Sequence, residues 1–445
     1  MSSPPSPYTE VFRSPRVAAV LFLGFSSGLP LALTGSTLQA WLTVSDVDIR
    51  TIAWFSWIGV PYLLKFLWSP VMDRYVPPFL GRRRGWMALT QLLLVAGIAA
   101  MTLAPPSESI LLLGILALWV AFASASQDIV IDAYRTDVLH PRERGMGAAV
   151  GVFGYRLAML ASGGLALILA DQVGWSAAYL LMAALMAVGL VTSMLAPEPE
   201  TQAQPPKSLI EAVVLPLVDL FSRRGALALL ALVMLYKFGD ALAGTLTTAF
   251  LIRGVGFTPT DVGVVNKFLG LASLLLGALV GGVVLARMDL YRALLAFGVL
   301  QAISNLSFAW LAWAGKSYPL LVFAVAFENL ASGMGTAAFV AFAMALCNAS
   351  FSATQYALLS AIASLGRVLF GPVTGELVAW VGWADFFVIT FAAALPGLWL
   401  VWRMRDQISA VESVRAAGGQ DPAGLTPGRA LASGPSRGGI PRGSP

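Results

Sequence analysis

What most constrains this chain is a succession of apolar runs, each about twenty residues long and each closed by charge, proline or glycine. A run of that length crosses a hydrocarbon core of roughly 30 Å as a helix, because in lipid every backbone amide has to be satisfied within its own segment. Such runs fall near 17–41, 51–72, 86–104, 109–134, 145–170 and 175–196, and again near 226–252, 260–286, 292–314, 318–346, 354–380 and 383–403. Only 11% of the 445 residues are charged and 58% are hydrophobic, whereas a soluble domain is roughly one-quarter charged. A water-soluble fold is excluded, and an all-α membrane protein with twelve transmembrane helices is expected.

Twelve is even, so both termini share a side, and the basic residues decide which. The two tails and the connections holding Arg74, Arg82, Arg83 and Arg84, then Arg135, Arg142 and Arg144, then Lys207, Arg223 and Arg224, then Arg287 and Arg292, collect 20 of the 28 Lys and Arg residues. Only Arg50, Arg253 and Lys316 fall on the other side. Cytoplasmic loops carry the basic excess, which places both termini in the cytoplasm. The net charge of +5 therefore marks topology and not a nucleic-acid partner. One cysteine, Cys347, and one histidine, His140, allow neither an internal disulfide nor a thiolate or imidazole metal cage, and no metal or cofactor is expected.

The chain divides into a polar N-terminal segment (1–16), a six-helix bundle (17–196), a linker (197–225), a second six-helix bundle (226–403) and a tail (404–445). No cleaved signal peptide is read in the first segment. The linker opens with Pro197, Pro199, Pro205 and Pro206, then spaces Ile210, Val213, Val214, Leu217, Val218 and Phe221 as a short interfacial helix would. The tail is rich in Gly, Pro, Ser and Ala and is expected to be disordered. The bundles echo each other: Tyr155-Arg156-Leu157, Gly163-Gly164 and Val173-Gly174-Trp175 have counterparts in Gly366-Arg367-Val368, Gly371 and Gly375, and Val381-Gly382-Trp383. Two parallel six-helix repeats are a transporter architecture with its site at their interface near mid-membrane.

Ser69-Pro70-Val71-Met72-Asp73-Arg74 followed by Gly81-Arg82-Arg83-Arg84 resembles the signature loop of the major facilitator superfamily. That resemblance implies a conformational latch of Asp73, the basic cluster from Arg82 and a helix-four arginine, Arg135. The likeness narrows at Gly24-Phe25-Ser26-Ser27-Gly28-Leu29-Pro30, Lys65-Phe66-Leu67-Trp68-Ser69-Pro70, Gln127-Asp128-Ile129-Val130-Ile131-Asp132, Tyr236-Lys237-Phe238-Gly239-Asp240, Asn266-Lys267 and Phe327-Glu328-Asn329. These segments resemble the AmpG-type muropeptide permeases over all twelve helices. The resemblance implies import of N-acetylglucosaminyl-anhydro-N-acetylmuramyl peptides from periplasm to cytoplasm, driven by the proton gradient, by a monomer whose other partners are membrane lipids.

The residues support such chemistry. Lys65, Arg156, Lys237, Lys267 and Arg367 stand against Asp128, Asp132, Asp240, Glu328 and Glu376 inside the apolar runs, and each is costly in lipid unless it pairs or lines a polar interior. A ligand carrying carboxylates and an amine needs both signs, and Lys or Arg holds carboxylates by charge-assisted hydrogen bonds. Lys65, Arg156, Lys237, Lys267 and Arg367 are therefore candidate substrate ligands. Sugar recognition adds the amides Gln39, Gln127, Asn266, Asn329 and Gln355 and the aromatic walls Trp54, Trp57, Tyr62, Tyr236 and Tyr356. For proton coupling the candidates are Asp128, Asp132, Asp240 and Glu328; the first two lie four residues apart, about 6 Å on one helical face, where their repulsion at an effective dielectric near 20 is about 2.8 kcal/mol.

Two enzyme motifs fail. Gly24-Phe25-Ser26-Ser27-Gly28 has the spacing of a hydrolase elbow but lies within an apolar run, and Gly315-Lys316-Ser317 lacks the first glycine of a phosphate-binding loop, Trp310 standing there. The expected protein is a secondary transporter and not an enzyme. Its rivals are a related permease for another bulky anion, such as an acyl-CoA or oligosaccharide, and a membrane receptor for cell-wall fragments.

Overall fold

The computed structural model describes residues 14–139, 143–197, 215–222, 225–347 and 352–416. α1 (Pro15–Val44) is followed by α2, a segment in short pieces from Ile49–Trp54 to Ser69–Arg74, and then by α3 (Arg82–Met101), α4 (Ile110–Val138), α5 (Gly147–Val173) and α6 (Trp175–Leu195). The second half holds α7 (Ala226–Gly254), α8 (Pro259–Leu285), α9 (Leu290–Ala314) and α10 (Tyr318–Leu346), then one helical stretch, Ser352–Arg403. Ten of these helices are long and apolar enough to cross a membrane. The stretch Ser352–Arg403 is divided at Gly382, where φ is 80°, into arms α11 and α12. The arms run antiparallel: Leu359 and Val401 share one apolar cluster, while Val378 and Phe386 share another. Gly174, at the equivalent corner between α5 and α6, has φ 91°, a left-handed conformation that a side chain disfavours.

The expectation of one continuous second helix is corrected. α2 alternates α-helical turns with 3-10 turns at Phe55–Gly59 and Lys65–Leu67. Pro61 and Pro70 have no N–H for the carbonyls one turn back; Ser69 Oγ takes the Phe66 carbonyl that Pro70 leaves, at 3.2 Å. α1 behaves otherwise. It stays helical through Pro30, whose missing donor to the Ser26 carbonyl is replaced by Gln127 Nε2 at 3.0 Å, and breaks at Gly35 instead. Gly24 and Gly28 let α1 lie against α5 so closely that an added Cβ would run into the Gly151 carbonyl oxygen or that of Tyr155.

The tail is also corrected. Its first part is helix α13 (Arg405–Ala416), with Ile408 fully buried beside Leu220, Leu229 and Val401. Leu215–Ser222 is helical as expected of the linker's end. Ile210, Val213 and Val214, His140 and Arg142, and the segments 1–13 and 417–445 lie outside the described residues.

The two bundles meet at one face. At the face opposite the helix ends nearest the termini, one apolar cluster runs through both halves, from Leu29, Trp41 and Ile52 to Phe250, Phe308 and Phe387. Toward the terminal face it gives way to two separate clusters, one around Leu23, Met87 and Tyr134 and one around Val233, Phe342 and Val401. Polar contacts between the halves gather at the same closed face. Arg253 donates to the carbonyls of Val47 (2.7 Å) and Thr43 (2.8 Å), Arg50 pairs with Glu376 (2.9 Å), Thr260 Oγ1 donates to Asp171 (2.5 Å) and Gln39 Nε2 donates to the Thr245 carbonyl (2.6 Å).

Candidate transport site

A cavity of about 300 Å³ lies beneath the closed seam, lined by both halves. Leu31 to Gln39 of α1 and Ile52 to Tyr62 of α2 face Gly244 and Thr245 of α7 and Arg367 and Val368 of α11, with Met159 of α5 beside them. The break at Gly35 and the interrupted α2 supply these irregular walls, and non-helical backbone at membrane depth is tolerated where it lines a cavity. Of the expected site residues, Gln39, Tyr62 and Arg367 are brought to it.

The charged residues form one cluster in each half. In the C-terminal half, Lys237 Nζ donates to Thr336 Oγ1 at 2.9 Å and stands 3.8 Å from Asp240 Oδ2. Asp240 Oδ2 accepts from Gln301 Nε2 (2.7 Å) and Ser332 Oγ (3.1 Å). Glu328 acts electrostatically on Lys237 and on Lys267, and Arg367 acts on Lys237 and Glu328. Lys267 sits in a π-helical turn of α8 (Val262–Leu269) with its side chain 3.7 Å from where a Cβ on Gly163 of α5 would stand. In the N-terminal half, Ser27 Oγ donates to Asp128, and Lys65 faces the same carboxylate electrostatically. Half-buried Arg156 touches Met159 Sδ at 3.9 Å.

Other expected residues are bonded elsewhere or lie apart from the cavity. Asp132 is exposed and bonded to Arg135 at 3.1 Å, so a neighbouring cation offsets part of the charge it presents to Asp128. Gln127 is fully buried and ties α1 to α4, accepting from Ser26 Oγ at 3.1 Å while its amide holds the Ser26 carbonyl; it does not line the cavity. Tyr236 is buried, donates to the Leu294 carbonyl at 3.1 Å and stacks on Phe339. Asn329 donates to the Val325 carbonyl of its own helix at 2.9 Å. Trp54 and Trp57 turn outward, edge to face with each other. Gln355 is fully buried, Tyr356 is exposed and Asn266 is half-buried in the α8 π-turn.

Of the expected latch, Asp73 falls in Ser69–Arg74 but its side chain lies outside the described residues. Arg82 is buried, Arg83 pairs with Asp137 at 2.9 Å, and Arg84 donates to the Ser193 carbonyl at 3.0 Å at the end of α6, where a cation suits the helix dipole. Sequence reasoning missed Gln301, Ser332 and Thr336, neutral groups that complete the Lys237–Asp240 cluster, and the seam residues Thr245, Asp171 and Thr260. Arg50 and Arg253 carried a usable signal, being two of only three basic residues on their side.

The model of the Major Facilitator Superfamily matches residues 17–318. Over 404 residues the chain is 55% identical to the anhydromuropeptide permease of Escherichia coli K12, covering 91% of this chain and 82% of that one. A protein of Haemophilus influenzae is 38% identical over 394 residues, 86% of this chain and 92% of its own. Among solved structures, a POT family transporter bound to 5-aminolevulinic acid superposes with a TM-score of 0.69 at 14% identity, covering 88% of this chain and 96% of its own. A D-xylose–proton symporter gives 0.66 at 11%, covering 89% and 97%. At such identities the superpositions speak to fold alone.

Proposed function

Since the chain belongs to the AmpG-type permeases of the major facilitator superfamily, we propose that it imports N-acetylglucosaminyl-anhydro-N-acetylmuramyl peptides across the bacterial inner membrane by proton symport. It is a multi-pass membrane transporter and not an enzyme. In this reading both termini are cytoplasmic, the protein works as a monomer among lipids, and the proton gradient is the energy source in place of any cofactor. The observation that carries it is the divided core: the halves share one apolar cluster at one face and separate at the other, around a cavity flanked by both signs of charge.

Rocking the halves about such a site exposes it alternately to either side. Lys237, Lys267, Arg156, Arg367 and Lys65 are the groups to hold substrate carboxylates, with Gln39 and Tyr62 for the sugar. Glu328 serves the coupling proton, with Asp240 beside it and Asp128 in the other half as the further candidates. Purified protein in liposomes loaded with neither substrate nor proton gradient should equilibrate a radiolabelled muropeptide, and an inward proton gradient should concentrate it until a protonophore is added. Uptake that ignores the gradient would refute symport, and no uptake would refute the substrate.

A further inference from the structure

The cavity and the charges are not in the same place, and their offset orders the ligand. α7 runs from the terminal face toward the seam, so Asp240 and Lys237, four and seven residues before Gly244, lie about 6 and 10 Å below the cavity wall. On α1, Ser27, which bonds Asp128, precedes the first cavity residue, Leu31, by four residues, about 6 Å. The deep cavity itself is lined by Gln39, Phe55, Ser56, Tyr62 and Thr245, with Arg367 as its one charged side chain. Its volume of about 300 Å³ is at the small end for ligand pockets, enough for part of a bulky glycopeptide and not for all of it. Neutral hydrogen-bonding groups beside aromatic rings suit a saccharide; a peptide bearing carboxylates and an amine suits the charged zone below.

We propose that this pocket under the seam is the saccharide subsite, so that the ligand binds sugar-first toward the closed face with its peptide extending among Lys237, Asp240 and Arg156 toward the terminal face. The assignment rests on the permease reading above. Gly244 is the place to test it, because it lines the pocket and a Cβ there meets no atom within 4 Å, so a larger side chain has room to start into the subsite.

Titration calorimetry on the full chain in detergent, with the muropeptide and with its anhydro-disaccharide alone, separates the outcomes. Gly244→Leu should weaken both ligands by about ten-fold or more, with Gly244→Ala intermediate. Lys237→Gln should weaken the muropeptide similarly and leave the disaccharide within about two-fold; Arg156→Gln replaces it if its melting curve shows a folding loss. Unchanged disaccharide affinity in Gly244→Leu, or a disaccharide loss in Lys237→Gln as large as in Gly244→Leu, overturns the subsite. A parent protein that binds neither ligand overturns the permease reading itself, and the subsite with it.

Discussion

Removing the Arg253 side chain should open the closed face. Its guanidinium donates to the Val47 and Thr43 carbonyls at 2.7 and 2.8 Å, at the end of α1 where carbonyls run out of helical donors and the helix dipole is negative. Hydrogen bonds from a charged donor contribute roughly 1.5–3 kcal/mol each. Arg253 is exposed, so each is discounted to about 1 kcal/mol. Donor and acceptors belong to different halves, so both bonds exist only while this face is shut, and their loss shifts the equilibrium by about 2 kcal/mol, roughly thirty-fold. The assay is a single cysteine at Gly244 in a Cys347→Ser background, labelled by a membrane-impermeant maleimide from the face opposite the termini. Arg253→Ala should raise the labelling rate by roughly thirty-fold. Arg50→Ala should raise it by less than about five-fold, because the Arg50–Glu376 pair, with side chains 47% and 43% exposed, is worth under about 1 kcal/mol. A rate within about two-fold of the parent in folded Arg253→Ala refutes the seal, and a larger effect from Arg50→Ala refutes the ranking.

Gln127→Leu should lower the melting temperature through a loss of about 2 kcal/mol, since it strands the Ser26 carbonyl inside the bundle; parent-like melting would return Gln127 to the list of ligand contacts. Gly28→Val should cut folded yield, because its Cβ meets the Tyr155 carbonyl and overpacking costs about 1–3 kcal/mol; normal yield would mean that α1 and α5 are not so close. Glu328→Gln should keep substrate exchange and lose proton-driven accumulation, whereas Asp132→Asn should accumulate as the parent does; the reverse pattern in vesicles would move coupling to α4. Reporter fusions after Arg84, Arg144 and Arg403 should read cytoplasm and those near Asp46, Gly174 and Lys316 periplasm, and two reversed fusions would overturn the orientation.

Length and apolarity made the spans legible, and the Val-Gly-Trp echo located both corners, Gly174 and Gly382, that turn one helix into the next. What periodicity does not carry is how a helix treats its own prolines. Pro30 and Pro61 look alike in the sequence, but the first has Gln127 across the bundle to satisfy the stranded carbonyl and the second leaves α2 in pieces. The same blindness affected the site. Whether a polar residue is open to a ligand or a proton depends on neighbours that spacing does not show: Ser26 and Leu294 from other helices for Gln127 and Tyr236, and Arg135 one turn on for Asp132. Neutral Gln301, Ser332 and Thr336 carried no signal, being common in packed membrane helices.

The partners of each charged cluster bear on where coupling can occur. Asp128 is held by Ser27 and faced by Lys65, all in the N-terminal half, while Lys237 and Asp240 are held by Ser332, Thr336 and Gln301, all in the C-terminal half. Rocking two rigid halves leaves such bonds intact, so these contacts alone give a proton no preference between the two states. Lys267 differs: its stem lies on Gly163 and Gly164 of the opposite half while its charge faces Glu328 of its own. Separating α5 from α8 re-solvates that lysine and so changes the field on Glu328. A carboxylate whose environment depends on the seam is able to exchange its proton differently in the two states, which is why Glu328, and not Asp132, is the variant expected to uncouple transport.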